Sequence, residues 1–274
     1  MPELQIAFLE VPFDALSSSA TSEDSDYPHE NLFFGGSSLL YKTSSTATSN
    51  NIDLDLGSGF TSSIDYLILR GCNLLVGSAG ESNAGVSIIG STDNFSSSNN
   101  TIFSNTTIET SDLTGPRTED LILSGSTSTA YRYWRVQTTS TGSVYHTYRK
   151  IYCGNLFDFG GISPVYPYSP NYSDTLKGFT SDSGALFKTT SGYRRRVYTF
   201  TWNGVTDAYR DEFDSKVNKY ANDFPVYLYQ PSSATHSPLN GHDLVCCWID
   251  SVSWSSGEWK DVNSVTVSFV EDIA

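Results

Sequence analysis

The sequence contains no apolar run that approaches the length of a membrane helix. Met1 to Leu16 has neither a basic opening segment nor an uninterrupted apolar stretch, so no signal peptide is expected. Cysteine is sparse: Cys72, Cys153, Cys246 and Cys247 are the four. None stands in CxxC-like spacing, and no structural zinc site is expected. Cys246 and Cys247, as strand neighbours, would point to opposite faces and are poorly placed to pair. Free, buried thiols are the expectation. Basic residues are also few. Sixteen Lys and Arg stand against 30 Asp and Glu, a net charge of -14. Such a chain repels nucleic acid and anionic membranes. Its acidity either keeps it soluble or lets it lie near DNA without adhering to it. Catalytic signatures are missing too. There is no GxSxG and no P-loop, and Gly57-Ser58-Gly59 lacks the third glycine and following helix of a dinucleotide fingerprint. Neither an enzyme nor a cofactor is expected.

What is present is aromatic and turn-rich. The chain has 274 residues, with 17 Tyr and 15 Phe among a 14% aromatic fraction. Tyr and Phe suit pleated, half-buried surfaces. The length allows one large or two ordinary domains. Asn51 to Gly57 alternates strictly, with Ile52, Leu54 and Leu56 on one face and Asp53 and Asp55 on the other. Further strands are expected at Ile64–Leu69, Val86–Gly90, Tyr131–Gln137 and Val144–Tyr152. In Tyr131–Gln137, alternation places Tyr131, Tyr133, Arg135 and Gln137 on one face, and Arg132, Trp134 and Val136 on the other. A second set follows at Leu186–Lys188, Tyr193–Trp202, Pro225–Tyr229, Leu244–Trp254 and Ser264–Val270. Tyr209, Phe213, Val217 and Tyr220 recur at helical spacing, which predicts one amphipathic helix over Thr206–Ala221, capped by Thr206 or Asp207.

The fold class expected is therefore all-β: two sandwich or jelly-roll-like domains, the second with one short amphipathic helix. Residues 1–26 read as an N-terminal arm and 27–154 as the first domain. Residues 155–172, dense in Gly, Pro and aromatics, read as a linker, and 173–274 as the second domain.

The order of several short motifs resembles the discoidin-like jelly-roll domains. Tyr27-Pro28-His29-Glu30-Asn31-Leu32 is followed by Ile52-Asp53-Leu54-Asp55-Leu56-Gly57, then Ile64 through Gly71-Cys72-Asn73-Leu74, then Tyr131-Arg132-Tyr133-Trp134-Arg135-Val136. The closing segment Ile151-Tyr152-Cys153-Gly154-Asn155-Leu156-Phe157 is similar to the version found in bacteriophage tail proteins. There, a second β domain carries an Arg/Tyr-rich strand, a short helix and a "fPVyly" strand. Here these would be Tyr193–Phe200, the helix near Asp207 and Phe224–Tyr229. The resemblance covers most of the chain after Tyr27. It lacks the Cys pair that closes the animal discoidin domains, and the acidity argues against anionic lipid. The resemblance implies a virion structural protein of a phage tail, a ring-forming adaptor or tail-tip component made in the host cytoplasm. Its partners would be other tail proteins and copies of itself, without direct nucleic-acid binding or membrane insertion. The alternative it implies is a carbohydrate-binding module that attaches to host-surface glycans.

Candidate contacts between subunits are Arg194 and Arg196, on the one basic strand, and Phe157, Phe159, Tyr166 and Tyr168 in the linker. Asp53 and Asp55 could be a carboxylate pair for glycoside hydrolysis or Ca²⁺, but a solvated outer strand face is the simpler reading. His236 and His242 flank Asn240-Gly241, whose spacing suits a hairpin loop and fits no metal pattern. No metal is expected.

Overall fold

The computed structural model describes residues 4–33, 39–72, 85–105, 113–114, 120–125, 129–165, 171–173, 176–180, 186–190, 195–230, 244–257 and 261–272. The chain divides into two compact units, one of residues 7–157 and one of residues 1–6 with 158–273.

Two larger antiparallel sheets make up most of the 7–157 unit, with a two-stranded pair of Tyr41–Lys42 and Thr147–Tyr148 beside them. Five strands run in the order Ser17–Ala20, Ala47–Asp55, Tyr133–Val144, Gly85–Ser91, Asn100–Asn105. Four run in the order Lys150–Gly154, Tyr66–Arg70, Asp120–Ser124, Leu113–Thr114. Alternation explains the layering. Ile52, Leu54, Val86, Ile88, Trp134 and Val136 send side chains from the five-stranded sheet into one core. Leu67, Leu69, Leu121, Ile151 and Cys153 meet them from the four-stranded sheet. The result is a β-sandwich. Tyr66–Arg70 is buried along its whole length, so it reads as a continuous apolar run rather than an alternating one. Trp134 is 0% exposed and donates its indole N–H to the Tyr131 carbonyl.

The strand expected at Val144–Tyr152 is two short ones, Thr147–Tyr148 and Lys150–Gly154, because Tyr133–Val144 runs farther than expected. Tyr131 and Arg132 precede that strand and do not follow its alternation. Tyr131 makes an isolated bridge to Ser62 and is buried, while Arg132 sits in a bend. Arg132 therefore does not share the core face of Trp134. The Tyr27–Leu32 motif is tied in by its own polar groups. Asn31 donates from Nδ2 to the Leu40 carbonyl at 2.9 Å and accepts Lys150 Nζ on its carbonyl at 2.7 Å. Leu32 is buried.

The other unit holds a six-stranded sheet in the order Gln5–Ala7, Val226–Tyr229, Leu244–Ser256, Val262–Glu271, Arg195–Thr206, Asn171–Ser173. A hairpin of Leu176–Thr180 and Leu186–Thr190 accompanies it. The expected helix is present as Asp207–Lys216, continued by a π-helical turn at Val217–Ala221. Thr206 is its N-cap residue, without a side-chain cap bond, and Asp207 accepts from Asn263 Nδ2 at 2.6 Å. The helix docks through Phe213, whose ring lies 5.1 Å from Phe159 and 6.2 Å from Trp254, centroid to centroid. All four thiols are buried.

The described residues 4–26 do not stand apart as an arm in this structure. Leu4 and Ile6 are buried, Gln5–Ala7 joins the six-stranded sheet, and Ser17–Ala20 joins the five-stranded one. Between 155 and 172, Phe157 packs edge-on to Phe8, while Phe159 lies 4.8 Å from the Trp202 ring. Each is the property of its own unit.

Candidate functional site

The outer face of the five-stranded sheet carries a half-open cleft of about 140 Å³. Ser17, Ser18, Ser19, Asp53, Leu54, Asp55, Asn94 and Tyr133 line it. Register puts these residues together. Asp55 lies opposite Ser17 on one side and Tyr133 on the other, and Asp53 lies opposite Ser19 and Arg135. Because side chains alternate, the same parity that buries Ile52 and Leu54 turns both carboxylates outward.

Those carboxylates are not simply solvated. Arg132 donates from Nε to Asp55 Oδ1 at 2.7 Å and from Nη2 to Oδ2 at 2.8 Å. Arg135 does the same to Asp53, at 2.6 and 2.7 Å. Bidentate pairs of this kind fix both planes. Gly57 N–H adds a third bond to Asp55 Oδ1 at 2.8 Å. The Arg132 hydrogen bonds hold the Asp55 carboxyl below the usual carboxylate range, against a smaller opposing effect of burial. The guanidinium groups also lie over rings, Arg132 over Tyr133 at 4.6 Å and Arg135 over Phe95 at 4.0 Å.

The loop after Gly85–Ser91 forms one wall. Asn94 and Phe95 both adopt left-handed backbone, at φ 55° and 61°. For Asn this is tolerable; for Phe it is a true outlier. Asp93 compensates. Its carboxylate accepts from Ser91 Oγ, from Ser97 N and Oγ, and from Ser98 N and Oγ, at 2.6 to 3.1 Å. These bonds, chiefly from Ser97 and Ser98, hold its carboxyl well below the usual range. Phe95 N–H in turn donates to Ser91 Oγ at 2.9 Å. The loop thus holds a strained pair in a fixed place, with Asn94 at the cleft and Phe95 against Arg135. Strain maintained in this way clusters at functional sites.

Chemically, the cleft offers acceptors, hydroxyls, an amide and a ring face, with the two carboxylates fixed in orientation by their arginines. A glycosidase would need one carboxyl kept protonated as a general acid. Asp55 is pushed the other way, and Asp53 is chelated by a guanidinium. With each carboxylate gripped bidentately by a guanidinium, the pair is arranged for holding.

Sequence reasoning put Asp53 and Asp55 on the correct face but missed their arginine partners and the strained loop. Strict alternation hides the arginine signal, because it turns Arg132 to the Trp134 side. The loop shows in the sequence only as two turn clusters, Ser91–Asn94 and Ser96–Asn100, the first holding the Asp93-Asn94 pair. Of the subunit-contact candidates, Phe157 and Phe159 are 3% and 1% exposed, so each is core within its own unit. Arg196 sits on the Arg195–Thr206 strand, half-buried, with its backbone N–H donated to Glu271 Oε2 at 3.2 Å. Arg194, Tyr166 and Tyr168 lie outside the described residues, as do His236 and His242.

Among the described residues, Glu23, His29 and Glu30 are close enough together to surround a cation. His29 Nδ1 lies 2.5 Å from Glu23 Oε2 and 3.4 Å from Glu30 Oε2. The His29 backbone N–H donates to the same Glu23 oxygen at 3.2 Å. Glu23 thereby clamps the turn at His29–Leu32, and the His29 hydrogen bond lowers its carboxyl pKa.

No family model matches the chain. No curated protein matches it either. Solved structures with some likeness include a chitosan-binding module of a Paenibacillus chitosanase/glucanase, 13% identical at a TM-score of 0.39, covering 53% of this chain and 98% of that one. A family 32 carbohydrate-binding module of Clostridium perfringens NanJ, solved with galactose, is 11% identical at 0.38, covering 55% and 98%. A Ruminococcus gnavus fucosidase is 13% identical at 0.41, covering 56% of this chain and 28% of its own. At these scores the likeness is too slight to fix fold or ligand.

Proposed function

We propose that residues 7–157 form a non-catalytic carbohydrate-binding unit, and that the sugar lies in the cleft between Ser17–Ser19 and Tyr133. The observation that carries this reading is the strained Asn94–Phe95 pair, held by Asp93 beside carboxylates that two arginines hold in plane. A sugar ring presents hydroxyls around its edge and C–H groups on its faces. It is recognised by fixed donors and acceptors together with an aromatic surface. Asp53, Asp55, Asn94 and the hydroxyls of Ser17 and Ser19, which share the face of the two carboxylates, supply the first, and Tyr133 the second. Pre-orientation lowers the entropy cost of binding, which matters for a ligand that makes many weak polar contacts. The carboxylates are charge-paired, so a neutral sugar fits better than an acidic one. A glycan array followed by calorimetry tests this. Tyr133→Ala and Asn94→Ala are each expected to weaken binding of a neutral saccharide by about tenfold or more. Undiminished affinity in both variants would remove the cleft from the reading.

A second reading places the chain in a phage tail, as a ring-forming adaptor or tail-tip subunit in the virion. The order of elements in the other unit favours it. Arg195–Thr206, the helix and Val226–Tyr229 follow one another as that resemblance implies. Its partners would then be tail proteins and copies of itself. Class-averaged electron-microscope images of the purified protein distinguish the two, by the presence or absence of rings.

A further inference from the structure

Two exposed apolar side chains are carried on backbone that adjoins the cleft-lining residues Ser17 and Asp55. Leu16 and Phe60 are 76% and 69% exposed, and they are the two most exposed large apolar side chains among the described residues. Both are tied to the cleft floor by short backbone connections. Leu16 precedes cleft-lining Ser17, and its N–H donates to the Asp55 carbonyl at 2.7 Å. Phe60 closes a turn in which its N–H donates to the Gly57 carbonyl at 3.3 Å. Gly57 N–H is itself bonded to Asp55 Oδ1. Gly57 has φ 89°, and a Cβ there would approach Leu16 Cδ2 to 3.0 Å. The turn and the Leu16 side chain are thus packed together, which fixes the pair relative to Asp55.

Single exposed apolar residues are ordinary. Two on backbone that is anchored to one cleft carboxylate, through Leu16 N–H on the Asp55 carbonyl and the Gly57–Phe60 turn on Asp55 Oδ1, are a different arrangement. We propose that this apolar pair is a second subsite of the same site, so that the chain binds at least two consecutive sugar units of a neutral glycan rather than one terminal sugar. One ring sits in the polar cleft against Tyr133, and the next lays its C–H face on Phe60, with Leu16 flanking. This rests on the carbohydrate reading of the cleft. The pairing is chemically sensible because a sugar chain is itself amphipathic, and an exposed ring gives contact area with little loss of side-chain freedom.

Chain length is the discriminating variable. Calorimetry or array titration would use glucose, galactose and N-acetylglucosamine with their β-linked dimers to tetramers, on the full chain. Affinity is expected to rise by about three- to tenfold from monomer to dimer or trimer for the preferred sugar. Phe60→Ala should abolish that rise while leaving monosaccharide affinity unchanged, and Leu16→Ser should reduce it. Both positions are exposed, so an unchanged melting temperature verifies folding. A flat length series that still depends on Tyr133 would overturn the second subsite and leave the cleft in place. Binding of no saccharide at any length would overturn both. A length gain untouched by Phe60→Ala would place the second ring elsewhere and also overturn the proposal.

Discussion

His146 shows how a single side chain can set a pH limit on the 7–157 unit. It is fully buried, with Nε2 3.1 Å from the Ala47 carbonyl and Nδ1 3.1 Å from both Thr138 Oγ1 and Tyr148 OH. Nε2 therefore carries the proton and Nδ1 accepts, which describes a neutral ring. Burial pushes its pKa below the ordinary value, and the Ala47 hydrogen bond opposes this only partly. In the unfolded chain the ring titrates near about 6.5. Above that pH neither state binds the proton. Below it the unfolded state binds it first, so stability falls as pH falls, by up to about 1.4 kcal/mol per pH unit, until the lowered folded-state pKa is reached. The unit is expected to lose thermal stability from about pH 6.5 downward, and His146→Gln should flatten that slope. Melting curves across pH 4.5–8 check it, and identical slopes in the two proteins would refute the assignment. Lys150 belongs to the same residue scale. Burial, with a smaller push from Arg70, brings its pKa down to about 8 while it serves the Asn31 carbonyl.

At the scale of elements, what sequence could reveal depended on whether alternation continued. Period two places Ile52 with Leu54 on one strand face and Trp134 with Val136 on another, and all four are buried. The helix was legible because Phe213 and Tyr220 share a face, though the π-helical turn at its end has no sequence signature. Alternation failed at Tyr131 and Arg132, where the chain is not yet in the sheet. That failure hid the Arg132–Asp55 pair and with it half of the candidate site. The long-range partners of Asp53 and Asp55 are about eighty positions away, so no local pattern could supply them. Gly90 illustrates a constraint of the same non-local kind. Its backbone is not left-handed, yet a Cβ there would lie 2.3 Å from Tyr131 Cδ2. The Tyr131 ring is packed edge-on to Trp134 at 5.5 Å, and its hydroxyl accepts Asn100 Nδ2 at 2.6 Å. Gly90→Ala must displace that ring, and overpacking of this sort costs about 1–3 kcal/mol. The loss is expected as a lower melting temperature, largely relieved when Tyr131→Ala is added, since the clash then disappears. Additive losses in the double variant would mean that Gly90 matters for another reason.

At the scale of the molecule, the chain starts in one unit, builds the whole of the other, and returns at Asp158. Sequence composition drew attention to residues 155–172 as a joint, but nothing in it pointed back to the first six residues, because strand pairing across some 220 positions leaves no periodic trace. Gln5–Ala7 forms an outer strand beside Val226–Tyr229, and Leu4 and Ile6 are 2% and 1% exposed. Burying two such side chains contributes about 3–6 kcal/mol. Their removal would also leave Val226–Tyr229 as an uncovered edge, a template for pairing between chains. Deletion of residues 1–6 is therefore expected to destabilise the 158–273 unit selectively and to promote its association, while the 7–157 unit keeps its stability. Hydrogen exchange read strand by strand separates the two. Protection should drop across Val226–Tyr229 and Leu244–Ser256 and stay unchanged across Tyr66–Arg70 and Tyr133–Val144. A peptide of residues 1–10 added in excess should restore it by occupying the vacant edge. Equal loss in both units, or none in either, would show that the first strand does not belong energetically to the sheet it joins.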